Sequence, residues 1–150
     1  MRGALAGTLL ALGVAACSGV KVYPNEGAKN LLVQSELESG VSAALDVYQV
    51  DAACKSEYRG RVALDKATVA VGIPPERPSY LVVIFDTSSF FGGSSSTSAG
   101  TLLRPRQGLR YEARVRYRDR IYDFSVRELE PGKGPGRALP RRDMGSCDRG

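Results

Sequence analysis

Leu109-Arg110-Tyr111-Glu112-Ala113-Arg114-Val115-Arg116-Tyr117-Arg118, followed by Asp119-Arg120 and then Ile121-Tyr122-Asp123-Phe124-Ser125-Val126-Arg127-Glu128-Leu129, is the stretch that decides the fold. In its first half Leu109, Tyr111, Ala113, Val115 and Tyr117 alternate with Arg110, Glu112, Arg114, Arg116 and Arg118. A period of two gives a strand with one apolar face and one charged face. A tight turn at Asp119-Arg120 then fixes a hairpin in which Val115 faces Phe124, Ala113 faces Val126, Arg116 faces Asp123 and Glu112 faces Arg127. A slip of one residue would set Arg116 against Tyr122 and carry apolar groups to the wrong face, so the hydrophobic face selects the register. Each opposite-charge pair adds roughly 0.2–1 kcal/mol and supports the same choice.

The same period recurs through most of the chain. It predicts strands over residues 30–36, 41–51, 58–64, 68–73, 79–87, 100–103, 109–118 and 121–129, and no long segment carries a helical stripe. Short strands separated by turn signals at this spacing predict an all-β fold, a seven- to eight-stranded antiparallel β-sandwich over residues 28–130. Tyr80 to Phe85 is apolar on both faces, which predicts a central strand covered twice.

Two segments break the pattern. Residues 87–101 are dominated by serine and glycine yet hold Phe90 and Phe91 before a Gly92-Gly93 turn. Residues 131–150 form a basic tail rich in glycine, proline and arginine, expected to be disordered unless Cys147 ties it down.

The chain of 150 residues has a net charge of +5, and it contains no histidine and no tryptophan. Without histidine the usual triad base, proton shuttle and commonest metal ligand are missing. Its start has the layout of a secretory leader: Arg2, an uncharged run from Gly3 to Ala16 and small residues before a cleavage point. That run is shorter than the roughly 20 apolar residues a spanning helix needs. Val14-Ala15-Ala16-Cys17 resembles the lipobox of bacterial lipoproteins. The resemblance implies that residues 1–16 are a signal peptide and that Cys17 carries a covalent lipid. Residues 17–27, small and turn-forming, would then be a tether. Several acyl chains hold a protein on a bilayer almost permanently. In that family an aspartate after the cysteine favours inner-membrane retention. Here Ser18 stands there, which implies the outer membrane, on its periplasmic side.

Removing residues 1–16 takes one arginine and leaves 134 residues with a net charge of +4. Basicity in that compartment points away from nucleic acid and toward anionic lipid or polymer, with a solvated basic surface as the blander alternative. Cys54 and Cys147 remain, in a compartment that permits disulfides; they are either bridged or two free thiols. The absence of a Cys-x-x-Cys pair argues against redox catalysis and zinc.

Candidate sites are few. Phe90 and Phe91 would either form a contact loop for a partner or bilayer, or fold back with one ring in the core; the second is the favoured reading. Arg110, Arg114, Arg116 and Arg118, joined by Arg104 and Arg106, would either bind successive phosphates or be neutralised by Glu112, Asp123 and Glu128, the second again being favoured. Glu36 with Glu38, or Glu128 with Glu130, offers same-face carboxylates of the kind glycan hydrolysis uses, but such pairs are ordinary solubility devices. Lys29, Lys55 and Lys66 lack a nucleophile motif, and Asp46, Asp51 and Asp65 lack calcium-loop spacing. No catalytic residue, no metal and no cofactor beyond the lipid on Cys17 is assigned.

Leu45-Asp46-Val47-Tyr48-Gln49-Val50 resembles the early strand of small lipoproteins with transthyretin-like or immunoglobulin-like sandwiches, among them the outer-membrane lipoprotein subunit of type VI secretion. Gly108 to Leu129 resembles the final tyrosine-rich hairpin of short lipoproteins of unknown function. These resemblances imply a non-enzymatic binding or assembly module among other envelope proteins. A secretion-apparatus lipoprotein is the alternative, and a glycan- or lipid-acting hydrolase the less favoured one.

Overall fold

The computed structural model describes residues 19–149; the expected leader and Cys17 lie outside the described residues. Nine strands follow in order: β1 (Leu31–Leu37), β2 (Val41–Val50), β3 (Ser56–Ala63), β4 (Thr68–Val71), β5 (Ser79–Ser88), β6 (Ser94–Leu103), β7 (Arg110–Arg118), β8 (Ile121–Leu129) and β9 (Arg137–Ala138). A short 3-10 helix, Met144–Arg149, closes the chain. The strands form two sheets, ordered β4-β1-β7-β8-β9 and β3-β2-β5-β6, that face each other as a sandwich.

The β7–β8 hairpin has the register its alternation demands, with Val115 opposite Phe124, Ala113 opposite Val126, and Asp119 and Arg120 both at positive φ in the turn. Its apolar face joins the core: Tyr111, Ala113, Val115, Phe124 and Val126 pack with Leu31 and Val33 against Leu45, Leu81, Val83 and Phe85. Each fully buried aliphatic or phenylalanine side chain contributes about 1.5–3 kcal/mol. One pairing departs from an antiparallel plan, because β1 runs parallel to β7, with Leu31 beside Tyr111 and Leu37 beside Tyr117.

Three local expectations change. β5 is central between β2 and β6, but only its inner face is fully buried; Tyr80, Val82 and Ile84 on the other side are half-buried. The serine-rich segment is strand rather than loop: Ser94 to Ser98 pair with Ser88 to Ile84. β6 is an edge strand with one face in solvent, so serine costs little there. Packing also starts before Ala28. Lys21 to Tyr23 lie along β3, with the Tyr23 N–H donating to the Arg61 carbonyl at 3.0 Å and the Arg61 N–H donating to the Lys21 carbonyl at 2.8 Å.

Each edge of the second sheet is thereby covered over part of its length. On the β6 side the tail takes the place of a partner strand, with the Leu102 N–H donating to the Arg142 carbonyl at 2.7 Å and Arg142 N–H donating to the Thr101 hydroxyl at 3.1 Å. The condition for ordering the tail is met: Cys54 and Cys147 are bridged, their Cα atoms 5.8 Å apart, and β9 pairs with β8. Covered edges deny other chains a template for strand pairing.

Candidate functional site

Loops cluster at the two ends of the sandwich. One pole carries the β1–β2 turn, the β5–β6 hairpin tip and the β7–β8 turn. The other carries residues 24–30, the β4–β5 loop and the β6–β7 loop.

At the first pole Phe90 and Phe91 sit at the hairpin tip, both fully exposed, their rings edge to face with centroids 6.1 Å apart. The favoured fold-back is overturned, since neither ring enters the core. The turn itself holds them out: the Ser89 N–H donates to the Gly93 carbonyl at 2.8 Å and the Gly93 N–H donates to the Ser89 hydroxyl at 3.0 Å. The core beneath is already filled by Phe85, packed between Tyr117 and Tyr122.

Along β7 the arginine face is internally paired. Arg114 meets Glu112 at 3.7 Å, Arg116 meets Glu36 at 3.1 Å and Arg118 meets Asp119 at 3.8 Å. The partner of Arg116 is thus a β1 carboxylate rather than Asp123, because the parallel register sets Glu36 beside it. Arg110 stands apart at the second pole, as do Arg104 and Arg106 in the β6–β7 loop.

Glu128 does not neutralise that face. It lies on the inner face opposite Tyr111, where it is buried and accepts from the Tyr111 hydroxyl at 3.0 Å, from Arg106 at 2.5 and 3.2 Å and from Arg137 at 2.9 Å. The Arg106 hydrogen bonds above all, with help from Arg137 and Tyr111, hold its carboxyl down at about 2 despite the opposing effect of burial. Burial raises the Tyr111 phenol, and its bond to Glu128 acts in the same direction. Glu36 and Glu38 are likewise engaged, Glu36 with Arg116 and Glu38 with the Asp119 N–H at 3.1 Å. Buried Asp46 is gripped by Arg61 at 2.7 and 2.9 Å. Neither carboxylate pair lines the cleft at the second pole.

No protein-family model matches the chain, and no curated protein matches it. Among solved structures it is similar to the crystal structure of transthyretin from Sparus aurata, at 14% identity and a TM-score of 0.49, over 69% of this chain and 100% of that one.

The second pole holds an open cleft of about 820 Å³ that sequence reading missed. Its floor is fixed by side chains acting as backbone clamps. Asn30 donates to the Ile73 carbonyl at 2.8 Å and accepts from the Ile73 N–H at 2.9 Å, while Asn25 accepts from the Gly72 N–H at 2.8 Å. Tyr23 is buried and donates its hydroxyl to the Gly72 carbonyl at 2.7 Å. Lys29, Arg59, Arg77, Arg106 and Arg110 line the cleft against two carboxylates, Glu26 and Glu57. These residues come from four separate segments, so no short sequence window shows them together.

Proposed function

We propose that the protein is a lipid-anchored module of the bacterial envelope, on the periplasmic side of the outer membrane, that binds and assembles other envelope proteins rather than catalysing a reaction. The lipobox-like Val14-Ala15-Ala16-Cys17 supports the anchor. The observation that carries the binding role is the exposed Phe90–Phe91 pair on a braced tip. Two aromatic rings left in water favour docking into an apolar pocket, where each would bury a large area at little entropic cost.

The polarity of the domain supports a protein as the occupant. Lys21 to Tyr23 run parallel to β3, so the described chain enters from the cleft pole, and the phenylalanine tip is at the opposite end. Confinement to a membrane raises the effective concentration of the tip toward neighbours, turning weak contacts into assembly.

The test is crosslinking of the full chain in its membrane followed by purification. The wild type should carry a defined envelope protein, and the double variant Phe90→Ser, Phe91→Ser should lose it while keeping its melting temperature. An unchanged partner profile would remove the tip from the reading. Metabolic labelling with an alkyne fatty acid tests the anchor separately, and a mature form without label on Cys17 would overturn it.

A further inference from the structure

We infer that the cleft at the β4–β5 and β6–β7 loops binds the phosphate of an anionic lipid head group. Its lining carries five cationic side chains against two carboxylates, on a domain whose β7 arginines are otherwise spent on neighbouring acids. Among the described residues Arg77 and Arg110 have no ion-pair partner, and both are exposed in the cleft. They can therefore receive an outside anion without first breaking an internal bond.

The walls that carry them are braced. The Glu76 N–H donates to the Pro105 carbonyl at 2.7 Å and the Glu76 carboxylate accepts from the Gln107 N–H at 2.8 Å, which ties the Arg77 loop to the loop that leads into Arg110. Pro74 and Pro75 stiffen the same wall. Guanidinium groups suit phosphate, which can take two parallel N–H bonds from an arginine.

A lipid rather than a free anion follows from where the cleft sits. The N-terminal segment forms one side of it through Tyr23, Pro24 and Lys29, and that segment leads back to Cys17. This choice of source rests on the anchoring proposed above. An acylated Cys17 would hold the cleft pole against the head groups, where each basic residue adds to the attraction of an anionic surface.

Full-length protein, purified in detergent, should be mixed with phosphatidylcholine vesicles and with vesicles containing phosphatidylglycerol. The wild type should bind the anionic vesicles about 10- to 30-fold more tightly than the neutral ones, and Arg77→Gln with Arg110→Gln should remove that advantage. Arg118→Gln with Arg120→Gln makes the same charge change at the other pole and should leave it intact. Equal binding to both vesicle types would overturn the cleft assignment while leaving the anchor standing. Binding to neither would overturn the anchor and the lipid head group as the cleft's ligand together. An equal loss in the two double variants would reduce the effect to net charge and overturn the site, and loss of the preference for anionic vesicles in glycerol 1-phosphate at equal concentration would overturn the lipid source.

Discussion

Tyr111 and Glu128 stand opposite each other across β7 and β8, and the phenol donates to the carboxylate at 3.0 Å inside the sandwich. The phenol oxygen also accepts the Arg106 N–H at 2.8 Å, so the β6–β7 loop, the hairpin and, through Arg137, the tail all meet on one buried carboxylate. Because the folded carboxyl is held at about 2, below its unfolded value near 4.5, its contribution is complete above about pH 4.5 and fades as the pH falls toward 2. Urea unfolding followed from pH 7 to pH 2 should show stability dropping in that window. Glu128→Gln should flatten that part of the profile and cost about 1–3 kcal/mol at pH 7, the loss being moderated by the partial exposure of both arginines. An unaltered acid limb in the variant would contradict the role of this cluster.

How much of this was legible follows the range of the interactions. The β7–β8 hairpin could be read residue by residue because alternation and a two-residue turn are local. The β1–β7 parallel pairing could not, since Leu31 and Tyr111 are brought together only by the folding of everything between them. Glu128 is the instructive error: the hairpin register already placed it opposite Tyr111, but its charge suggested the solvent face, and the compensating Arg106 and Arg137 lie on other segments. Ser94 to Ser98 misled for the opposite reason, because an edge strand can be polar on its open side. The cleft was not legible as a unit: Arg106 and Arg110 stand out as anion-binding candidates, but on a strand face, and Lys29, Arg59 and Arg77 join them only when loops gather all five.

Gly60 is where the N-terminal segment docks. A Cβ there would lie 2.6 Å from the Tyr23 backbone, and the residue has φ of +139°, next to the β2–β3 bulge. Gly60→Ala should cost more than about 1 kcal/mol and loosen residues 21–23. Limited trypsin digestion should cut after Lys21 faster in the variant than in the wild type; equal rates would mean that the docking is not limited by this contact.

On the charged face of β7 the expected effect is small. The Arg116–Glu36 pair is exposed on both sides, and exposed pairs contribute at most about 1 kcal/mol. Arg116→Gln should therefore shift urea stability by less than about 1 kcal/mol, and the shift should vanish in high salt. A larger, salt-independent loss would show that this arginine packs rather than pairs.

The Cys54–Cys147 bridge closes a separation of 93 residues, and it fastens the end of the tail to the β2–β3 loop. Closing a loop of that length restrains the unfolded chain by up to about 4.7 kcal/mol in the entropic account, with a typical yield of about 2–4 kcal/mol. The tail has other holds: β9 on β8, Arg141 Nε donating to the Gly100 carbonyl at 3.0 Å, and the Arg142 contacts with β6. Cys54→Ser with Cys147→Ser should then lower stability by about 2–4 kcal/mol without unfolding the sandwich. Hydrogen exchange locates the change. The Leu102 amide, which is bonded to the tail, should lose protection, while the Val83 amide in the central strand should fall only with global stability. Thiol labelling of the unreduced wild type supplies the independent check, since two labelled cysteines would show that no bridge exists to remove.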